Sequence, residues 1–134
     1  MSSGGKRKHN VIISVSPRSG PSQEELSAAE ILCDFFNCDV EILPKGPLKS
    51  ADFLIKGTFW ELKSPTGSGK RTIQHQFSRG LKQAQNIIID GRFSKFSTEK
   101  LICELTRQFQ LARGINGLLL ITKNKRVIDF LKLN

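Results

Sequence analysis

Apolar positions along the chain change their spacing several times, and each change marks an element. The run Val11, Ile12, Ile13, Ser14, Val15 reads as a short strand, which the segment from Pro17 to Pro21 breaks. Ser22, Gln23, Glu24 and Glu25 then have the form of a capping box, with Ser at the N-cap and Glu three positions on. Ala29, Leu32, Cys33 and Phe36 follow at helical spacing, and Asn37 ends the helix. Residues 39–43 alternate like a strand, and 44–47 form a turn or loop. Residues 51–55 and 58–63 read as two strands joined at Lys56 and Gly57 into a hairpin. A Gly-containing loop over 64–70 leads into a helix predicted over 71–85, with Ile73, Phe77, Leu81 and Ala84 on one stripe. Residues 86–90 are a short apolar run, read as a buried strand. A third helix covers 98–112, opened by Ser97 or Thr98 and stopped before Gly114. Residues 117–122 give another buried strand, and 127–131 close the chain as a short strand or helix. The order predicts an α/β fold, a mixed β-sheet flanked by helices.

Composition narrows the picture. A chain of 134 residues, 38% hydrophobic and 25% charged, builds one core of ordinary size. We divide it into a flexible basic lead over 1–20, with a possible short strand, and a domain over 21–134. No apolar run approaches the roughly 20 residues that span a bilayer, so no membrane segment is expected, and the polar N-terminus has no secretory signal. Lys and Arg total 21 against 12 Asp and Glu, a formal charge of +9. Phosphate is the simplest counterpart, because neutralising it releases counterions whatever the base sequence; an acidic protein is the next. Cys33, Cys38 and Cys103 form no CxxC pair, which argues against a zinc ribbon or disulfide framework. Cys33 and Cys103 lie among apolar residues and are expected in the core, and a reducing compartment is expected.

The chemistry-bearing stretch runs from Ala51 to Lys63. Alternate side chains of a strand share a face, so Glu61 and Lys63 emerge together while Leu62 points away. If the two strands pair, Asp52 lies close to Glu61 across the ladder, and two carboxylates and an ammonium converge. Phosphodiester cleavage can use that set: paired carboxylates hold Mg²⁺ or Mn²⁺, the metal activates water, and the lysine stabilises developing charge. A cross-strand salt bridge on a solvated face is the rival reading. Phe59, Trp60 and Leu62 make the surrounding strand apolar, and a charge there needs a partner or a purpose. Gly67, Ser68, Gly69, Lys70 and Arg71 do not meet the phosphate-loop spacing. They read as a basic loop contacting substrate at a helix N-terminus, with Lys70 and Arg71 the contacts. His75 and His9 have no evident partner, so a His-based ribonuclease mechanism is disfavoured.

The pattern of Asp52, then Glu61 and Lys63, resembles the PD-(D/E)xK nuclease superfamily, with Ala51 in place of the usual Pro. The wider stretch ADFLIKGTFWELKSPTGSGKRTIQHQFSRGLKQAQNIIID resembles the C-terminal tRNA nuclease domain of contact-dependent growth inhibition toxins of the CdiA type. The resemblance covers roughly Glu25 to Asp90 and implies a restriction-endonuclease-like core. It implies a toxin endoribonuclease that cuts tRNA, with Asp52 and Glu61 as metal ligands or anchors and Lys63 as the transition-state stabiliser. It also implies an accessory carboxylate on the first helix. Glu25 shares a face with Ala29, Leu32 and Phe36, whereas Glu30 lies elsewhere on the wheel; a capping residue exposed to solvent is the alternative for Glu25. Ser64 is implied as a phosphate contact and Gln83, on the second helix, as a residue facing the site, each against the plain reading of a solvated side chain. An acidic immunity protein and action in the cytoplasm of a target bacterium, as the delivered C-terminal part of a larger toxin, complete the implication. A DNA endonuclease of the same fold and a non-catalytic basic nucleic-acid-binding module remain the rivals.

Overall fold

The computed structural model describes residues 9–14, 20–45 and 51–132; the readings that fall on 1–8, 15–19 and 46–50 lie outside them. Along the chain the elements are β1 (Val11–Ile13), α1 (Gln23–Phe36), β2 (Val40–Ile42), β3 (Phe53–Ile55), β4 (Thr58–Lys63), α2 (Thr72–Leu81), β5 (Asn86–Asp90), α3 (Thr98–Leu111), β6 (Gly117–Ile121), β7 (Val127–Asp129) and a 3₁₀ turn over Phe130–Lys132. All seven strands join one sheet in chain order. Helical crossovers place β1 beside β2, β4 beside β5, and β5 beside β6 in parallel, while β2, β3 and β4 form an antiparallel meander and β7 returns antiparallel on β6. The fold is the expected mixed α/β sheet between helices.

Each sheet face buries its own core. On one, Ala28, Ala29, Leu32 and Cys33 of α1 pack on Val40, Ile42, Phe53, Ile55, Trp60 and Ile88. On the other, Ile73 and Phe77 of α2 and Leu101 and Leu105 of α3 cover Ile87, Ile89, Leu118 and Leu120. With a helix layer on both sides, β5 and β6 are buried on both faces, which is why they read as unbroken apolar runs rather than alternating ones. Arg92 ties the end of β5 to α1: its guanidinium bonds the fully buried Asp90 at 2.7 Å, Ser27 Oγ at 2.8 Å and the Glu24 carbonyl at 3.2 Å.

Local chemistry sets the boundaries. Ser22 and Glu25 close the capping box reciprocally at 3.1 Å, and Asn37 takes the left-handed conformation at the far end. The hairpin turns on two left-handed residues, Lys56 (φ 50) and Gly57 (φ 78), with Ile55 opposite Thr58. That two-residue geometry matches the twist of the strands it joins. Two expectations are corrected. Helix α2 stops at Leu81, not Gln85, because Lys82 N–H turns back to the Arg79 carbonyl at 3.2 Å and Gln83 N–H to Gly80 at 2.9 Å. Cys103 is exposed, since the buried stripe of α3 runs through Leu101, Leu105 and Gln108 and position 103 faces away from it.

Candidate active site

The first half of the hairpin does not form a regular strand to its predicted start. Phe53 is the register partner of Trp60, yet Asp52 N–H also donates to the Trp60 carbonyl at 3.0 Å. Two residues therefore oppose one, a β-bulge, which re-aims the side chain it carries. The ladder ends there, and the Asp52 carboxylate takes over its next bond: Leu62 N–H donates to Asp52 Oδ2 at 2.8 Å. Asp52 is thereby anchored beside Glu61 by the backbone of the strand that bears Glu61.

Glu61 and Lys63 leave β4 on one face, as alternation requires, and their side chains meet with Nζ 3.1 Å from Oε2. Both are largely shielded from solvent, with side chains 5% and 16% exposed. The second oxygen, Glu61 Oε1, is buried without a hydrogen-bond partner among the described residues. Burial, with the charge of Asp52 added, pushes the Glu61 carboxyl up to about 7 against the pull of Lys63. Asp52 is also raised. Burial is the main cause and the charge of Glu25 adds to it, outweighing the Leu62 N–H bond and the Lys45 charge. Two neighbouring carboxylates that resist ionising together form a site suited to a proton or a cation.

Glu25 is buried in the first turn of α1, and the two readings of it hold together. One oxygen, Oε1, accepts from Ser22 N–H at 3.1 Å as the cap requires, and the carboxylate also receives Lys45 Nζ at 2.9 Å. Lys45 is the residue that sequence reasoning missed. Burial lowers its pKa, but the bond to Glu25 and the charges of Glu25, Asp52 and Glu61 outweigh this and raise it. Three carboxylates and two ammonium groups thus interact at one place.

These residues are drawn from the start of α1, the loop after β2, the bulge before β3, and β4, so the cluster is assembled by the fold. A family profile, Contact-dependent growth inhibition CdiA C-terminal domain, matches residues 49–127, more than half of the chain. The chain belongs to this family. The match takes in Asp52, Glu61 and Lys63 and leaves Glu25 and Lys45 upstream of it. Among solved structures, the CdiA C-terminal domain described here is similar to a chain of the CdiA-CT/CdiI toxin and immunity complex from Burkholderia pseudomallei. The TM-score is 0.65 at 21% identity, over 87% of this chain and 96% of that chain, a likeness of fold. No curated protein matches it.

The remaining predicted site residues of this CdiA C-terminal domain sit further out. Ser64 follows Lys63 directly and is exposed. Lys70 and Arg71 are exposed at the entry to α2, whose N-cap, Arg71, makes no side-chain cap. Gln83 is not on α2; it lies in the turn beyond that helix and lines a groove with Ala51, Phe59 and Asn86. Among the described residues no His, Cys, Asp or Glu group of three is placed to hold a metal, and no helix is long and apolar enough to cross a membrane.

Proposed function

We propose that this CdiA C-terminal domain is a toxin-type endoribonuclease of the PD-(D/E)xK kind that cleaves tRNA by phosphodiester hydrolysis. The observation that carries the proposal is buried Glu61 paired with half-buried Asp52, with Glu61 pushed up to about 7 and Lys63 held 3.1 Å from it. A salt bridge on a solvated face would not bury an oxygen without a partner or raise both carboxyls. The choice of tRNA follows the resemblance of the ELKSPTG and KQAQNIIID segments to tRNA nuclease toxins, and the charge of +9 suits a polyanion.

Asp52 and Glu61 would hold a divalent cation, Mg²⁺ or Mn²⁺, which when bound polarises a phosphoryl oxygen and favours ionisation of water. The residues fit such an ion: Glu61 Oε1 lacks a partner, and a cation would relieve the charge that burial penalises on both carboxylates. Two carboxylates with water and substrate oxygens are a common donor set for Mg²⁺. Lys63 presents a fixed ammonium to the charge that develops on the phosphate. Glu25 from α1 and Lys45 from the loop after β2 brace the cluster, and Lys45 balances part of its charge. Lys70, Arg71 and Ser64 meet the backbone of the nucleic acid at the rim.

By the same reading the domain is the delivered part of a larger toxin, acts in the cytoplasm of a target bacterium, and is held in check by an acidic immunity protein. The structural neighbour is a chain from a toxin and immunity complex. The surface around Lys63, Lys70, Arg71 and Arg79 is where acidic groups would both speed association and cover the site. Expression in a bacterium without any partner tests this. The wild-type chain should arrest growth and fragment tRNA, while Glu61→Gln accumulates harmlessly; equal growth with intact tRNA in both strains would overturn the toxin reading.

A further inference from the structure

A groove of about 530 Å³ is lined by Ala51, which precedes Asp52, by Gly57, Thr58 and Phe59, and by residues 83–86. Three observations about it converge. The first is Phe59, which lies two residues before Glu61 on β4 and so projects from the same sheet face, with 55% of its surface exposed. A large aromatic ring left bare on the face of the proposed active site has no packing role that explains it. The second is the opposite wall, which is rich in amides. Asn116 Nδ2 donates to Gln85 Oε1 at 2.9 Å, which leaves Gln85 its own amide donors. Gln83 adds a further side-chain amide. The third is charge: exposed Lys56 precedes Gly57 and exposed Lys82 precedes Gln83, so a cation is next in sequence to a lining residue on each side of the groove.

We propose that this groove is a nucleobase subsite, which takes one unpaired base of the RNA beside the scissile phosphate. The base stacks on Phe59, and the amides of Gln83 and Gln85 read its polar edge. Amides both donate and accept, so they suit the mixed edge of a base, and a stacking platform with flanking lysines is how unpaired nucleotides are commonly held. Lys56 and Lys82 meet the phosphates on either side. The subsite limits cleavage to positions where a base is free to leave its stack, and it gives the domain a means of choosing among them. The inference rests on the ribonuclease reading above.

The test compares Phe59→Ala, Phe59→Leu and Phe59→Trp by kcat/KM on total tRNA, with thermal melts as the control on folding. Phe59 is exposed, so all three should melt near the wild type. Loss of one stacked base predicts a fall of roughly 5- to 100-fold for Phe59→Ala. A similar fall is expected for Phe59→Leu, which keeps apolar bulk without a π-face, and recovery for Phe59→Trp. In the Glu61→Gln background, the added indole of Phe59→Trp should be quenched saturably by tRNA. If wild type cuts tRNA and Phe59→Ala cuts it within twofold as well, the subsite is wrong and the ribonuclease reading stands. Recovery by Leu equal to Trp would also overturn it, since any apolar surface would then serve. If wild type leaves tRNA intact, both readings fall together.

Discussion

Replacing Glu61 by Gln should abolish tRNA cleavage and, in metal-free buffer at pH 8.5, raise the melting temperature. The two effects have one cause. Glu61 is buried beside Asp52, and its carboxyl is raised from the ordinary 4.5 to about 7. A carboxyl raised on folding contributes stability while it is protonated, below its unfolded value, and loses that contribution as pH climbs through the folded value. Between about pH 4.5 and 7 the wild type should therefore lose stability, and above that window it carries the full penalty of a buried charge. Gln keeps the shape and never ionises. The gain at pH 8.5 should be on the order of 2 kcal/mol, several degrees in melting temperature, and should shrink towards pH 4.5. Activity should fall by about a thousandfold or more, because the carboxylate that would hold the cation with Asp52 is gone. Melts across pH with EDTA and a single-turnover tRNA assay check both halves. A variant that is less stable at pH 8.5, or that retains near-wild-type cleavage, would show that Glu61 is held for structure.

Lys63→Ala should lower the rate of cleavage about 10²- to 10³-fold while changing tRNA affinity by no more than about threefold, since the ammonium acts on charge that develops in the transition state. Its effect on stability should be opposite in sign to that of Glu61→Gln. Lys63 is what holds the Glu61 carboxyl down, so its removal pushes that group higher and makes the alkaline form less stable. Rate and affinity measured together separate this role from a phosphate contact, for which both would fall equally.

Much of this arrangement is legible in the sequence because local rules govern it. Alternation over 58–63 puts Glu61 and Lys63 on one face, the pair Lys56 and Gly57 supplies the left-handed turn, and Ser22 with Glu25 spells out the helix start. What is hidden depends on partners far along the chain. The bulge at Asp52 arises where the β3–β4 ladder ends, and no period in 51–55 marks it. Lys45 stands in a proline-flanked loop and meets Glu25 from 20 residues away. Gln83 falls outside the predicted second helix because α2 ends at Leu81 with no Pro or Gly after it to announce the stop. Gly80 instead lies where a Cβ would come within 3.2 Å of Ile87, so close packing on β5 fixes the helix at that end. Arg92 likewise shows its role only once β5 and α1 are neighbours.

Cleavage of tRNA by Asp52, Glu61 and Lys63 is the step on which the proposed function turns. Its most direct test is incubation of the purified chain with total tRNA and with plasmid DNA, in Mg²⁺ and in EDTA, beside Glu61→Gln. Discrete tRNA fragments are expected from the wild type in Mg²⁺, few in EDTA and none from the variant, with intact plasmid throughout. Intact tRNA in every lane, or equal fragmentation by wild type and Glu61→Gln, would contradict the proposed function.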